Sequence, residues 1–260
     1  MIHKTAIIDS KAKIPHNTKI GAYSVIGPNV EIDENTIIHS HVNISGITKI
    51  GKENIIYPFA SIGNDPQDLK YKGEDTKLTI GNNNKIREYV SINPGTKGGG
   101  GETIIGSNCL LMVSSHIAHD CIIGNNAIIA NNAAIAGHAQ IGDNVIIGGN
   151  SAVQQFTRIG KMAMIGGMTG VEKDVIPYGL SVGNRNYLCG LNLIGLRRKE
   201  ISNKDILSLN EAYKEIFKTE QLTENLNKMN RNYKDNLLVN DIIEFISKDK
   251  KRPICTPFSK

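Results

Sequence analysis

Tryptophan is absent from the 260 residues, and aromatic residues make up only 5% of them. That scarcity argues against base-stacking platforms for nucleic acid. The net charge of +5 is mild and diffuse, so no nucleic-acid partner is expected. The four cysteines, Cys109, Cys121, Cys189 and Cys255, form no CxxC pair and keep no regular spacing. This argues against a zinc knuckle and a disulfide framework, and fits a reducing compartment. No run approaches the ~18 apolar residues of a transmembrane segment. The opening Met1-Ile2-His3-Lys4-Thr5 lacks the apolar core of a signal peptide. A cytoplasmic protein with no transmembrane segment is expected.

What the chain has instead is a period. An aliphatic residue falls on every sixth position from Ile2 to Ile62, again at Ile80, Ile86 and Ile92, and after a one-residue shift from Ile105 to Val171. Every frame position holds Ile, Leu or Val. Glycine often follows, as at Gly21, Gly124 and Gly160, and would supply the permissive backbone of a tight corner. A period of six is neither helical nor the alternation of an amphipathic strand. It fits a stacked repeat, a coil of short strands and sharp turns with one aliphatic side chain per side pointing into a narrow core. With three hexads to a coil, residues 18 apart share a column, rising about 4.7–4.9 Å per coil.

Two polar stretches interrupt the frame. Residues 63–79 carry Pro66 and Gly73, and residues 93–103 carry Pro94-Gly95 and four consecutive glycines from Gly98. Both read as loops leaving the coil, and such loops often bind ligands. The repeat stops after Val171, Pro177-Tyr178-Gly179 marks a boundary, and residues 180–192 read as an irregular link. Helical spacing follows, with Ser202 as a cap and Ile206, Leu209, Tyr213, Ile216 and Phe217 on one face. Two further helices are expected around Leu226 and Ile242. The division expected is a β-helical domain over residues 1–190 and a small α-helical domain over 191–260. The latter holds 14 Lys and Arg against 10 Asp and Glu, so it carries most of the net positive charge. A basic cap of this kind suits an acidic partner.

The densest cluster of proton-handling groups is His116-Ile117-Ala118-His119-Asp120. The column rule stacks His119, Gly137 and Gln155, and beside them Asp120 and His138. Imidazole is the default base for a hydroxyl proton near neutral pH. Gly137, one coil on, would bring an unobstructed N–H to a developing oxyanion. Asp120 would either orient His138 in its own column or polarise the adjacent His119 ring. No serine or cysteine has a comparable setting, which points to direct transfer without an acyl-enzyme.

The hexad resembles that of the hexapeptide-repeat acyltransferases, whose fold is a left-handed parallel β-helix of triangular cross-section. A narrower resemblance, over nearly the whole chain, is to the UDP-N-acetylglucosamine O-acyltransferases of lipid A biosynthesis. It rests on Gln67-Asp68-Leu69-Lys70-Tyr71, on His116-Ile117-Ala118-His119-Asp120-Cys121, on Ala136-Gly137-His138, on Gln155-Phe156 and on residues 192–199. The resemblance implies His119 as catalytic base, Asp120 as its assistant and the Gly137 N–H as oxyanion donor. It implies that Gln67, Asp68 and Lys70 in the loop meet the sugar and diphosphate, and that His116 and His138 line the substrate site. It places Gln155 near the 3-hydroxyl of the acyl chain, Gly167 at the floor of a pocket for about fourteen carbons, and Asn192 and Arg198 beside the nucleotide. It further implies a homotrimer with sites between subunits, acyl carrier protein as acyl donor, UDP-N-acetylglucosamine as acceptor, and no cofactor or metal. Gln154, Ile194 and Lys199 depart from the family pattern, which has histidine, an acid and arginine there.

Three rivals share parts of this pattern. An acceptor with an amine at the sugar 3-position would give an amide on the same fold. A γ-type carbonic anhydrase would cast His116, His119 and His138 as metal ligands, leaving Asp68, Lys70 and Arg198 without a role. A scaffold without chemistry would lose nothing but stability on mutation of His119.

Overall fold

The structure, a computed structural model, describes residues 1–229, 233, 236–248 and 251–258. Most strands are only two residues long and consist of a frame residue and the one before it. They stack into three parallel sheets of nine, seven and ten strands, the last closed by an antiparallel strand. In the regular coils each strand pairs with the third one before and after it, so one coil visits all three sheets. Register follows the column rule: Ile117 pairs with Ile135, and Ile135 with Val153. The fold is the left-handed parallel β-helix of hexapeptide repeats, followed by short helices.

The frame residues form the core. Ile44, Ile129 and Ile135 have no exposed surface, while each preceding strand residue faces outward. A second inward position lies two residues before the frame and holds small side chains, such as Ala127, Ala133, Ala139 and Val145, all fully buried. The narrow prism therefore needs one large and one small apolar side chain per side, and close packing fixes both. The first coil is the exception: Ile2 is exposed, and Ile8 and Ile14 are only half-buried.

The glycines after frame residues act differently from the sequence expectation. Among the frame-following glycines of the regular coils, Gly21, Gly124 and Gly160 do not take positive φ. A Cβ on Gly21 would instead lie 2.5 Å from the Ser40 backbone nitrogen of the next coil. Close approach of coil to coil excludes a side chain there. The left-handed conformation falls two residues later, on Tyr23, His41, Asp120, Asn126, His138 and Phe156 among others. Asn and Asp bear it most readily.

Both loops leave the same corner. The strand Lys77–Ile80 pairs with Ile47–Ile50 at an offset of 30 residues where 18 is usual, and Glu102–Ile105 pairs with Lys77–Ile80 at 25. Twelve extra residues therefore emerge in one coil and seven in the next. In the following coils the same corner carries His119-Asp120, Gly137-His138 and Gln155-Phe156.

Residues 180–192 are not the irregular link expected. Gly179–Val182 continues the ten-stranded sheet and Tyr187–Leu191 pairs antiparallel to it, turning at Gly183 (φ 101°). Helix α1 (Leu193–Arg198) starts at Asn192, whose Oδ1 accepts from the Gly195 N–H at 3.0 Å. Helix α2 (Asn203–Ile216) starts at Ser202, whose Oγ accepts from the Asp205 N–H at 3.1 Å, as the capping pattern suggested. Helices α3 (Leu222–Lys228) and α4 (Leu237–Ser247) follow. The chain then returns to the coil: Asp174 N–H donates to the Pro253 carbonyl at 2.8 Å, and Cys255 N–H donates to the Asp174 carbonyl at 2.7 Å.

Candidate active site

Asp120 is the most heavily engaged side chain at this corner. Its carboxylate is fully buried. Oδ1 accepts from the Thr96 N–H at 2.9 Å and Oδ2 from the Thr96 hydroxyl at 2.6 Å. Oδ2 also lies 2.8 Å from His119 Nδ1, and the Asp120 N–H donates to Thr103 Oγ1 at 2.7 Å. An ionised carboxylate only accepts, so the His119 ring donates from Nδ1 and keeps a lone pair at Nε2. Of the two roles open to Asp120, polarising its neighbour is the one the geometry favours. His138 Nδ1 is 3.9 Å from Oδ2, beyond hydrogen-bond reach.

The loops explain how this carboxylate is held. Gly99 closes over it so tightly that a Cβ would meet Asp120 Cγ at 2.1 Å. The glycine-rich stretch is thus a clamp on the carboxylate, and only a residue without a side chain fits. Gly137 stands likewise under His119: a Cβ would lie 2.5 Å from the ring Cε1 and 2.7 Å from Nε2. Among the described residues its N–H donates to no backbone carbonyl, so the group is free beside the imidazole.

His138 packs edge-on to His119, with centroids 5.0 Å apart, and face-to-face on Phe156 at 4.4 Å. His116 Nδ1 shares a hydrogen bond with Ser91 Oγ at 2.7 Å. Burial holds both histidines below the ordinary imidazole range, reinforced at His116 by the nearby His119. At His138 the Asp120 charge opposes that effect and His119 and Lys251 add to it. Two cavities flank the His138–Phe156 stack. One, of about 270 Å³, is lined by Asp68, Lys70, Tyr71 and Lys97 from the loops. The other, of about 410 Å³, runs past Asp120 to Gln140, Arg158 and Lys248.

His116, His119, Asp120, Gly137 and His138 are thus brought together, with Asp68 and Lys70 across the first cavity. Gln155 occupies the expected column, its side chain exposed and its carbonyl accepting from Arg252 Nε at 2.9 Å. Gln67, Gly167 and Arg198 are exposed and line neither cavity. Asn192 caps α1 and donates to the Met162 carbonyl at 2.9 Å.

Comparison with known proteins places this arrangement. Residues 174–255 match the family described as UDP N-acetylglucosamine O-acyltransferase, domain 2, and four stretches between residues 1 and 155 match the bacterial transferase hexapeptide. The acyl-[acyl-carrier-protein]–UDP-N-acetylglucosamine O-acyltransferase of Rickettsia canadensis is 57% identical, over 98% of this chain and 97% of its own. That of Thermodesulfovibrio yellowstonii is 48% identical, over 98% of each. The chain belongs to the UDP-N-acetylglucosamine O-acyltransferase family. The solved LpxA of Acinetobacter baumannii superposes with a TM-score of 0.94 at 45% identity, over 97% of this chain and 99% of that one.

In this acyltransferase, several supporting groups carried no signal in the periodic pattern. Thr96 and Gly99 lie in a stretch that reads as a plain glycine-rich loop, and only its emergence at the corner of His119 would have marked it. The column rule, carried one coil beyond His138, would have reached Phe156. Lys251 lies far along the chain and had no sequence signal. The ligand atoms of His119, Asp120 and His138 come within 4.8 Å of one another, a spacing that suits a metal ion, whereas His116 stands outside that group. However, Asp120 already accepts from Thr96 twice and from His119, so the carboxylate is committed to neighbours.

Proposed function

We propose that this acyltransferase moves an (R)-3-hydroxyacyl chain from acyl carrier protein to the glucosamine 3-hydroxyl of UDP-N-acetylglucosamine, the entry to lipid A. The observation that carries the reading is the His119–Asp120 pair, 2.8 Å apart and buried, with Nε2 left as the basic atom. His119 Nε2 takes the hydroxyl proton as the oxygen attacks the thioester carbonyl. Asp120 stabilises the imidazolium that forms. The Gly137 N–H donates to the tetrahedral oxyanion. The intermediate collapses, the C–S bond breaks, and the carrier thiolate takes the proton back from His119.

The remaining assignments follow the family. Asp68, Lys70 and Gln67 hold the sugar and diphosphate, His116 and His138 line the acceptor site, and Gln155 meets the acyl 3-hydroxyl. Gly167 is the pocket floor: a Cβ there would make only ordinary contact, 3.4 Å from the Gly149 carbonyl, so larger residues would fit and shorten the pocket. Asn192 and Arg198 reach the nucleotide from a neighbouring subunit of a homotrimer, which accounts for their lining neither cavity within one chain. The exposed Arg197, Arg198 and Lys199 give the acidic carrier a docking surface. Charge reversal at these three should raise the KM for acyl carrier protein, and an unchanged KM would remove that role.

The test is incubation of the protein with UDP-N-acetylglucosamine and 3-hydroxymyristoyl-acyl carrier protein, beside His119→Ala, with the acylated nucleotide read by mass. Product that disappears in a folded variant supports reaction and base together. No product from wild type, but an amide from the 3-amino sugar nucleotide, would shift the acceptor. Stoichiometric zinc with neither product would favour metal-dependent chemistry.

A further inference from the structure

Lys251 stands at the active-site corner without any part in the reaction described so far. Its ammonium lies 4.9 Å from the centroid of the Phe156 ring, the ring that stacks on His138. Among the described residues it is the one lysine that lines both cavities beside that stack. The other cations of the larger cavity are engaged: Lys248 pairs with Glu244 at 2.7 Å and Arg158 with Asp174 at 2.7 Å. Among the described residues, Lys251 pairs with no carboxylate.

The segment that carries Lys251 is pinned. Arg252 donates to the Gln155 carbonyl at 2.9 Å, and residues 253–255 bond to both sides of Asp174. The ammonium is thereby held on the coil, not left on a free terminus. A cation at this point raises the cost of protonating His138, and Lys251 contributes to holding that ring neutral. The same charge that opposes a histidinium attracts an anion. Contact with an aromatic face stabilises a lysine only weakly and leaves its N–H groups free to donate.

We propose that Lys251 is a positioning residue that binds a phosphate oxygen of a substrate and so sets the reacting groups against His119. This rests on the acyl transfer proposed above, whose two substrates both carry phosphate. The acceptor has a nucleotide diphosphate, and the carrier protein has the phosphodiester of its pantetheine arm. Lys251 reaches the cavity of Asp68 and Lys70 on one side and that of Gln140 and Arg158 on the other, so either phosphate is within its range.

The experiment compares wild type, Lys251→Met and Lys251→Arg, first by calorimetric titration with UDP-N-acetylglucosamine and with phosphopantetheine. Steady-state kinetics with each substrate varied follow. Loss of one charge-assisted hydrogen bond should weaken one ligand by on the order of tenfold or more in Lys251→Met, with partial recovery in Lys251→Arg. The KM for the same substrate should rise while kcat changes little, a split that a general loss of folding would not give. A change confined to the nucleotide identifies the diphosphate. A change with acyl-phosphopantetheine that vanishes with phosphate-free acyl-pantetheine identifies the arm. Equal binding of both ligands by wild type and Lys251→Met, or no binding of either by wild type, overturns the proposal. Binding that depends on Lys251 without product in the wild type would instead count against the reaction and leave the phosphate contact standing.

Discussion

Asp120→Asn is the most informative single change at the site. Asparagine accepts the left-handed backbone of this corner (φ 59°) as readily as aspartate, so the turn should survive. Its side-chain oxygen can still accept from the Thr96 N–H, now made at 2.9 Å. What is lost is the negative charge beside His119. For charges about 4 Å apart at an effective dielectric constant of about 20, that charge is worth about 4 kcal/mol to the imidazolium formed on proton transfer, or about three decades in kcat. An amide nitrogen turned toward His119 would also favour the tautomer whose Nε2 carries the proton and cannot act as base. A comparable substitution in the Ser-His-Asp triad costs about four decades. The assay is single-turnover formation of acylated nucleotide, with melting temperature as the control for folding. A folded variant with kcat within about tenfold of wild type would show that Asp120 does not act through charge on His119.

Three further outcomes are expected. Gly99→Ala drives a methyl into the Asp120 carboxylate, where no Cβ has room. kcat should fall by about a hundredfold, the scale of a ~1 Å displacement, and a crystal structure of the variant should show Asp120 moved. Burial, with the nearby His119, keeps the His116 pKa below its unfolded value, so the unfolded chain binds that proton first. Stability from this group is full above about pH 6.5 and is lost as pH falls toward the folded pKa. His116→Gln should therefore flatten the decline of melting temperature between about pH 7 and pH 5, and an unchanged slope would exclude His116 as its source. Ile129→Ala empties a fully buried frame position and should cost about 2–5 kcal/mol in denaturant unfolding.

The hexad made the coil legible because the core is one residue wide: each side has a single large inward position, and Ile129 or Ile135 marks it directly. The 18-residue column likewise placed His119 over Gly137 and Asp120 beside His138. What the period could not carry was anything that crosses it. Gly99 and Thr96 reach Asp120 only because a seven-residue excursion folds back on its own corner. The hairpin at Gly179–Val182 and Tyr187–Leu191 has no hexad, since it closes the sheet by antiparallel pairing. Lys251 approaches Phe156 through the return of the C-terminal segment, a contact distant in sequence. Glycine follows the frame residue at Gly21, Gly124 and Gly160, but steric exclusion by the next coil, not backbone freedom, is what requires it there.

The corner that sheds twelve residues in one coil and seven in the next keeps the strands on either side in register. Ladder pairing restarts wherever the chain re-enters, so the length of an excursion is invisible to the core. A sequence can therefore lengthen, shorten or rewrite the stretch around Asp68 and Lys70, or the one around Thr96 and Gly99, while the inward isoleucines stay as they are. The core that stabilises the rod and the stretches that leave it are separable parts of the chain. Exchanging the stretch around Asp68 and Lys70 between relatives should then leave the rod intact, whereas the one around Thr96 and Gly99 must still hold Asp120.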